Sequence, residues 1–117
     1  MKIAVYGTLK KGQVRAFALS KQKFLGEAET EPLYSLHDNG HYPMLVEGGA
    51  TSVKCELYEV DDECMKVLDG IEGVAYGLYK RAKIAIQGVT DEVIGYIFCK
   101  PVDHYPNCGR EWPPVKS

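Results

Sequence analysis

The 117-residue sequence lacks most of the features by which composition alone announces a partner. It has no excess of positive charge: Lys plus Arg is 14 against 16 for Asp plus Glu, a formal net charge of −2. Nucleic acids and anionic membrane surfaces select a basic face, so this balance argues against either as the main partner. No apolar run is long enough to cross a bilayer, and the opening run Ile3 to Tyr6 is stopped by Gly7, too short for a signal peptide. The expected address is the cytoplasm. The four cysteines, Cys55, Cys64, Cys99 and Cys108, include no Cys-x-x-Cys pair, which removes the zinc-ribbon and thioredoxin readings. Cys55 and Cys99 sit in apolar strand-like runs and read as reduced core thiols. His37 and His41 flank an Asn-Gly turn with no third ligand at a suitable spacing, so no metal site is expected. There is no internal repeat and no low-complexity tract.

What is present suits one globular domain over residues 1–117, with a proline- and glycine-rich, loop-like tail over 101–117. At 45% hydrophobic residues a chain of this length buries a core without a metal or disulfide staple. Ile3 to Tyr6 reads as a buried strand, and Val14 to Ser20 as a short helix after the loop Gly7 to Gly12. Lys23 to Thr30 alternates weakly ahead of Pro32 and suggests an edge. Asn39-Gly40 is the strongest hairpin signal, set between Leu33–Leu36 and Met44–Val46. Thr51 to Val60 alternates clearly, with Val53, Cys55 and Leu57 on one side and Tyr58 and Val60 taking over at the end. Asp61 suits a helix cap, and Met65 and Leu68 give that helix an apolar side. Leu78 to Gln87 and Glu92 to Cys99 are the remaining strands, the second carrying Ile94, Tyr96 and Phe98 on one face. Tyr6, Tyr34, Tyr58 and Tyr96 read as core or rim residues whose hydroxyls reach a partner. Strands follow one another without crossover helices. The expected class is α+β: a small, mostly antiparallel β-barrel flanked by two short helices.

Two places carry candidate chemistry. A strand that stops at Tyr6-Gly7 and turns at Thr8-Leu9 leaves backbone N–H groups free to converge on an anion, and Gly7 permits close approach of a ligand. Short glycine motifs are common, and spacing alone favours a plain turn. Glu72 lies just past a helix between Ile71 and Val74 in a glycine-bounded loop. Desolvation there raises a carboxyl toward the range useful for proton transfer, although a lone Glu is more commonly a solvated loop carboxylate. Asp69 is close enough to compete for the role of base.

The two signals gain force in series. Tyr6-Gly7-Thr8-Leu9, Tyr42-Pro43, Glu56-Leu57-Tyr58-Glu59-Val60, Leu68-Asp69-Gly70-Ile71-Glu72-Gly73 and Tyr79-Lys80-Arg81 occur in that order, with a looser echo at Gly109-Arg110-Glu111-Trp112. This series resembles the γ-glutamylcyclotransferase-like superfamily, in particular its small γ-glutamylamine cyclotransferase branch. Thr8 stands where many members carry serine, and the hydroxyl is kept. The resemblance implies a small mixed barrel with helices at its side and a γ-glutamyl compound as substrate. Tyr6, Gly7, Thr8 and Leu9 then hold the γ-glutamyl unit, and Glu72 is the catalytic acid/base. Tyr79 lines the pocket beside it, while Arg81 serves the pocket or the sheet surface. Trp112 covers the pocket mouth or caps the barrel end. No metal or organic cofactor is implied. A non-catalytic domain binding a small carboxylate or amino acid in the same pocket is the alternative. The sequence specifies neither the amine portion of the substrate nor an oligomeric state.

Overall fold

The computed structural model describes residues 1–114. Seven strands run in chain order: β1 (Lys2–Val5), β2 (Lys23–Glu29), β3 (Tyr34–Asp38), β4 (Pro43–Glu47), β5 (Lys54–Glu59), β6 (Tyr79–Lys83) and β7 (Val93–Phe98). One α-helix, α1 (Asp62–Ile71), lies between β5 and β6. Five strands form a mixed sheet in the order β2-β5-β1-β7-β6, in which β1 and β7 are parallel and every other pair is antiparallel. β3 and β4 form a separate hairpin. The fold is therefore α+β with mostly antiparallel pairing.

The alternation of β5 explains how one strand serves both faces. Val53, Cys55 and Leu57 enter one apolar cluster, with Leu36, Leu45, Ile84, Val93, Ile97 and Trp112. Tyr58 and Val60 enter the other, with Ile3, Met65, Leu68, Tyr79 and Phe98. Helix α1 covers this second face. Its first turn is closed by Asp61, whose carboxylate accepts the Cys64 amide at 2.7 Å, and its buried side is Cys64, Met65 and Leu68. The hairpin and the tail cover the opposite face. The β3–β4 turn is fixed by Asn39, whose Oδ1 accepts the amides of both His41 and Tyr42 at 2.9 Å.

Four expectations need correction. The sheet does not close into a barrel: between its two edges stands a single isolated bridge, Thr30 with Ile86. There the chain leaves β6 to meet the end of β2, with Glu31 donating to Ala85 and Gln87 to Glu29, and the strand expected through Gln87 ends at Lys83. The expected helix over Val14 to Ser20 is a single 3-10 turn, Ala16–Leu19, which has no side-chain cap and buries only Leu19. Cys99 is exposed rather than in the core, because β7 ends at Phe98 and the chain turns there, its amide donating to Leu78. Cys55 is buried as expected. The four strand tyrosines are buried and each hydroxyl has a partner: the Tyr96 carbonyl for Tyr6, the Ala85 amide for Tyr34, Glu56 for Tyr58 and Asp69 for Tyr96. Residues 101–114 contain neither helix nor strand beyond the bridge of Asn107 to His37; the last three residues of the expected tail lie outside the described residues.

Candidate active site

β1 delivers the chain into a tight turn: the Lys10 amide donates to the Gly7 carbonyl at 3.0 Å, so Thr8 and Leu9 are its central residues. The closing bond of such a turn uses neither central amide. Tyr6, Gly7 and Leu9 are buried and Thr8 is half-buried, which holds the turn as a fixed floor. Gly7 has a different reason to be glycine from the one its position suggests. A Cβ added there lies 2.7 Å from Pro43 Cδ and closer still to Pro43 Cγ, so the vacancy is filled by the proline ring of the hairpin and not kept for a ligand.

Glu72 is carried to the same cavity by the end of α1. It caps the C-terminal end of α1, its own amide donating to Leu68 at 2.9 Å. Gly73 follows in the left-handed conformation at φ 65°, which a side chain disfavours and which turns the chain out of the helix. Glu72, Tyr6, Gly7, Thr8, Leu9 and Tyr79 all line one cavity of about 100 Å³. Burial pushes the Glu72 carboxyl up to about 7, opposed by the positive charge of Arg15. Tyr79 is buried, donates to the Pro43 carbonyl at 2.7 Å and stacks edge-on against Phe98. Burial, reinforced by the charge of Glu72, holds its hydroxyl well above the ordinary tyrosine range. It is therefore a neutral donor with its proton committed.

Asp69, the competing carboxylate, is placed differently. Arg81 grips it with two bonds, from Nε at 2.9 Å and Nη2 at 2.6 Å, and the Tyr96 hydroxyl adds a third at 2.7 Å. The Arg81 hydrogen bonds, joined by that of Tyr96, hold its carboxyl below the ordinary range. Asp69 and Arg81 do not line the cavity; their partner Tyr96 does. Arg81 thus belongs to the sheet surface. Trp112 is buried in the cluster opposite α1, with its indole donating to Asp38 at 3.1 Å, and is not part of the cavity wall. His37 contacts the Ser35 hydroxyl and the Tyr105 carbonyl.

The cavity is also lined by residues to which the sequence reading gives no role in the site: Arg15, Tyr42, Pro43, Leu78 and Tyr96. The Tyr42-Pro43 pair stands in the motif series and is legible to that extent. Arg15 follows the motif by six residues in a loop without periodicity, and only the chain reversal brings it back, its amide donating to Thr8 at 2.9 Å.

A small α+β protein with a half-buried acid sharing a cavity with a glycine turn is the class these features define. The comparison with protein families places it further. Residues 3–114 match the family described as gamma-glutamyl cyclotransferase, AIG2-like, and the chain belongs to that family. A Vibrio cholerae protein provisionally named gamma-glutamylcyclotransferase is 44% identical over 72 residues, 62% of each chain. A Pyrococcus horikoshii relative with the same provisional name is 42% identical over 79 residues, 67% of this chain and 66% of its own. The matched stretch thus spans just under two thirds of these two curated relatives. The crystal structure of an AIG2-like protein from Mus musculus superposes with a TM-score of 0.79 at 23% identity, covering 99% of this chain and 97% of the other, which shows the shared fold. Among the described residues no helix is long and apolar enough to cross a membrane.

Proposed function

We propose that this protein is a γ-glutamyl cyclotransferase of the γ-glutamylamine type, in which Glu72 is the general acid/base. The substrate is a γ-glutamyl amide. Its α-amine nitrogen attacks the γ-carbonyl carbon, a five-membered ring closes, and the amide C–N bond breaks. Glu72 takes the proton that the α-amine gives up and returns it to the departing nitrogen. The products are pyroglutamate and a free amine or amino acid, with no water consumed. Nucleophile and electrophile are already tethered, so the protein has two tasks, folding the substrate back on itself and moving one proton. A protonated amine has no lone pair to attack with, which makes the base indispensable. The free amides of Thr8 and Leu9 receive the α-carboxylate, and Tyr6, Gly7 and Tyr79 shape the wall against which the γ-glutamyl unit folds.

The observation that carries this reading is Glu72 itself. A carboxyl whose proton affinity is lifted to about 7 exchanges its proton readily at neutral pH, and it lines the same cavity as the Tyr6–Leu9 turn. Incubation with a panel of γ-glutamylamines and γ-glutamyl amino acids is expected to release pyroglutamate, detected by mass spectrometry. Folded protein that gains thermal stability from these compounds without turning any of them over is instead the signature of a binding domain.

A further inference from the structure

Three cations follow β1 closely in sequence, and one of them belongs to the cavity. Lys11 lies over the Phe24 ring, 3.4 Å from its centroid. Lys10 lines a separate groove with Glu27, Glu29 and Glu56. Arg15 lines the cavity, where it and Glu72 are the two charged side chains. Its place is built from both halves of the site. Its amide donates to Thr8 in the turn at 2.9 Å, and its Nη1 reaches the Ile71 carbonyl at the end of α1 at 3.4 Å. A guanidinium has five N–H donors, so this contact leaves most of the fork unused. Among the described residues none of the ion pairs involves Arg15. Arg15 is exposed while Gly7 and Leu9 are buried, which puts the cation at the mouth and the turn on the floor.

We propose that Arg15 is a specificity-determining residue that receives a carboxylate carried by the departing portion of the substrate. The proposal rests on the cyclotransferase reading of the cavity. A γ-glutamyl head brings one carboxylate and one amine. The turn amides take the first and Glu72 serves the second, so the head leaves the guanidinium unused. The portion beyond the scissile amide must emerge toward solvent, and Arg15 stands there. Its free fork matches a carboxylate in two parallel bonds. A neutral departing group gains nothing from it, and a cationic one is repelled.

γ-Glutamylalanine and γ-glutamylalaninamide differ at that carboxylate and are otherwise of one shape. The wild-type protein is expected to favour the acid by about tenfold in kcat/KM, mainly through KM, the scale of an exposed charge-assisted contact. Arg15→Gln is expected to bring the ratio of the two substrates close to one, and Arg15→Lys to retain part of the preference. High salt is expected to narrow the wild-type ratio, because the contact faces water. Absence of a preference in the wild type, or its survival in Arg15→Gln, overturns the proposal. Equal losses on both substrates overturn it as well, since Arg15 then serves the head. If folded wild-type protein releases pyroglutamate from neither substrate nor from the wider panel, the cyclotransferase reading has failed first and the assignment of Arg15 falls with it.

Discussion

Two carboxylates sit one helical turn apart at the end of α1, and the core separates their fates. Asp69 turns outward to Arg81 and Tyr96, where three donors stabilise its charge. Glu72 turns inward to the cavity, where burial disfavours the same charge and lifts its carboxyl to about 7. Three residues of separation leave two side chains only about 60° apart around a helix axis, so it is the partners each one meets, and not opposite helix faces, that part them. Chemically similar groups on one helix thus part company, one an ion-paired anchor and the other the acid/base we propose, because their surroundings differ in donors and in water.

Substitution at the two positions is the sharpest way to break this contrast. Glu72→Gln is expected to lower kcat by about 10²- to 10⁴-fold, the usual contribution of a positioned acid/base, while the melting temperature at pH 8 holds or rises. Asp69→Asn is expected to do the reverse. Steady-state kinetics on any substrate the panel identifies, with melting curves beside them, separates the two. A comparable collapse of kcat in both variants would show that the pair acts as one unit.

The pH dependence of stability is expected to carry opposite signs at the two sites. Glu72 has a folded-state value of about 7 against an ordinary 4.5. Between those values the folded protein keeps a proton that the unfolded chain has released. Stability therefore falls as pH rises through this window, by at most about 3 kcal/mol at 1.36 kcal/mol per pKa unit, and less where water reaches the cavity. Asp69 is shifted downward, so its contribution is present above the ordinary carboxylate range and is lost as pH falls below it. Denaturant midpoints between pH 5 and 8 check the first sign: Glu72→Gln is expected to flatten that slope. For activity the deprotonated base is required, so kcat/KM is expected to rise with pH through about 7.

A smaller effect sharpens the outer site. Asp69→Asn removes a half-exposed ion pair and weakens the acceptor of the Tyr96 hydroxyl, and about 1 kcal/mol of stability is expected to go with it. Chemical denaturation reads this directly. A loss several times larger would show that the Arg81–Asp69–Tyr96 link holds the cavity wall as well as the corner.

Much of this was legible in the residues. The handover in β5 from Val53, Cys55 and Leu57 to Tyr58 and Val60 is a two-residue period with a phase change, and the two clusters follow it. The cap at Asp61 and the turn at Asn39-Gly40 are local chemistry and appear where that chemistry puts them. The motif series located the glycine turn and Glu72, whose shared cavity no spacing rule supplies. The failures are long-range or marginal. Whether sheet edges meet is decided between Thr30 and Ile86, 56 positions apart, and periodicity within either segment carries no record of it. Arg15 is held at the cavity by hydrogen bonds to the carbonyls of Thr8 and Ile71, contacts without a sequence signature.

Pro43 makes the strands around the cavity interdependent. Its ring occupies the space beside Gly7, and its carbonyl accepts the Tyr79 hydroxyl, so a single residue of the hairpin meets both the turn and β6. Residues 7 and 43 are therefore not free to vary one at a time. Gly7→Ala alone is expected to cost about 1–3 kcal/mol through overpacking. Pro43→Ala deletes the two ring atoms in the way, so the double substitution is expected to recover most of that loss, as a thermodynamic cycle of melting data reveals. The pair forms a mutational ratchet: once the proline is present, the glycine is locked in, and the route to a bulkier residue at position 7 runs through position 43.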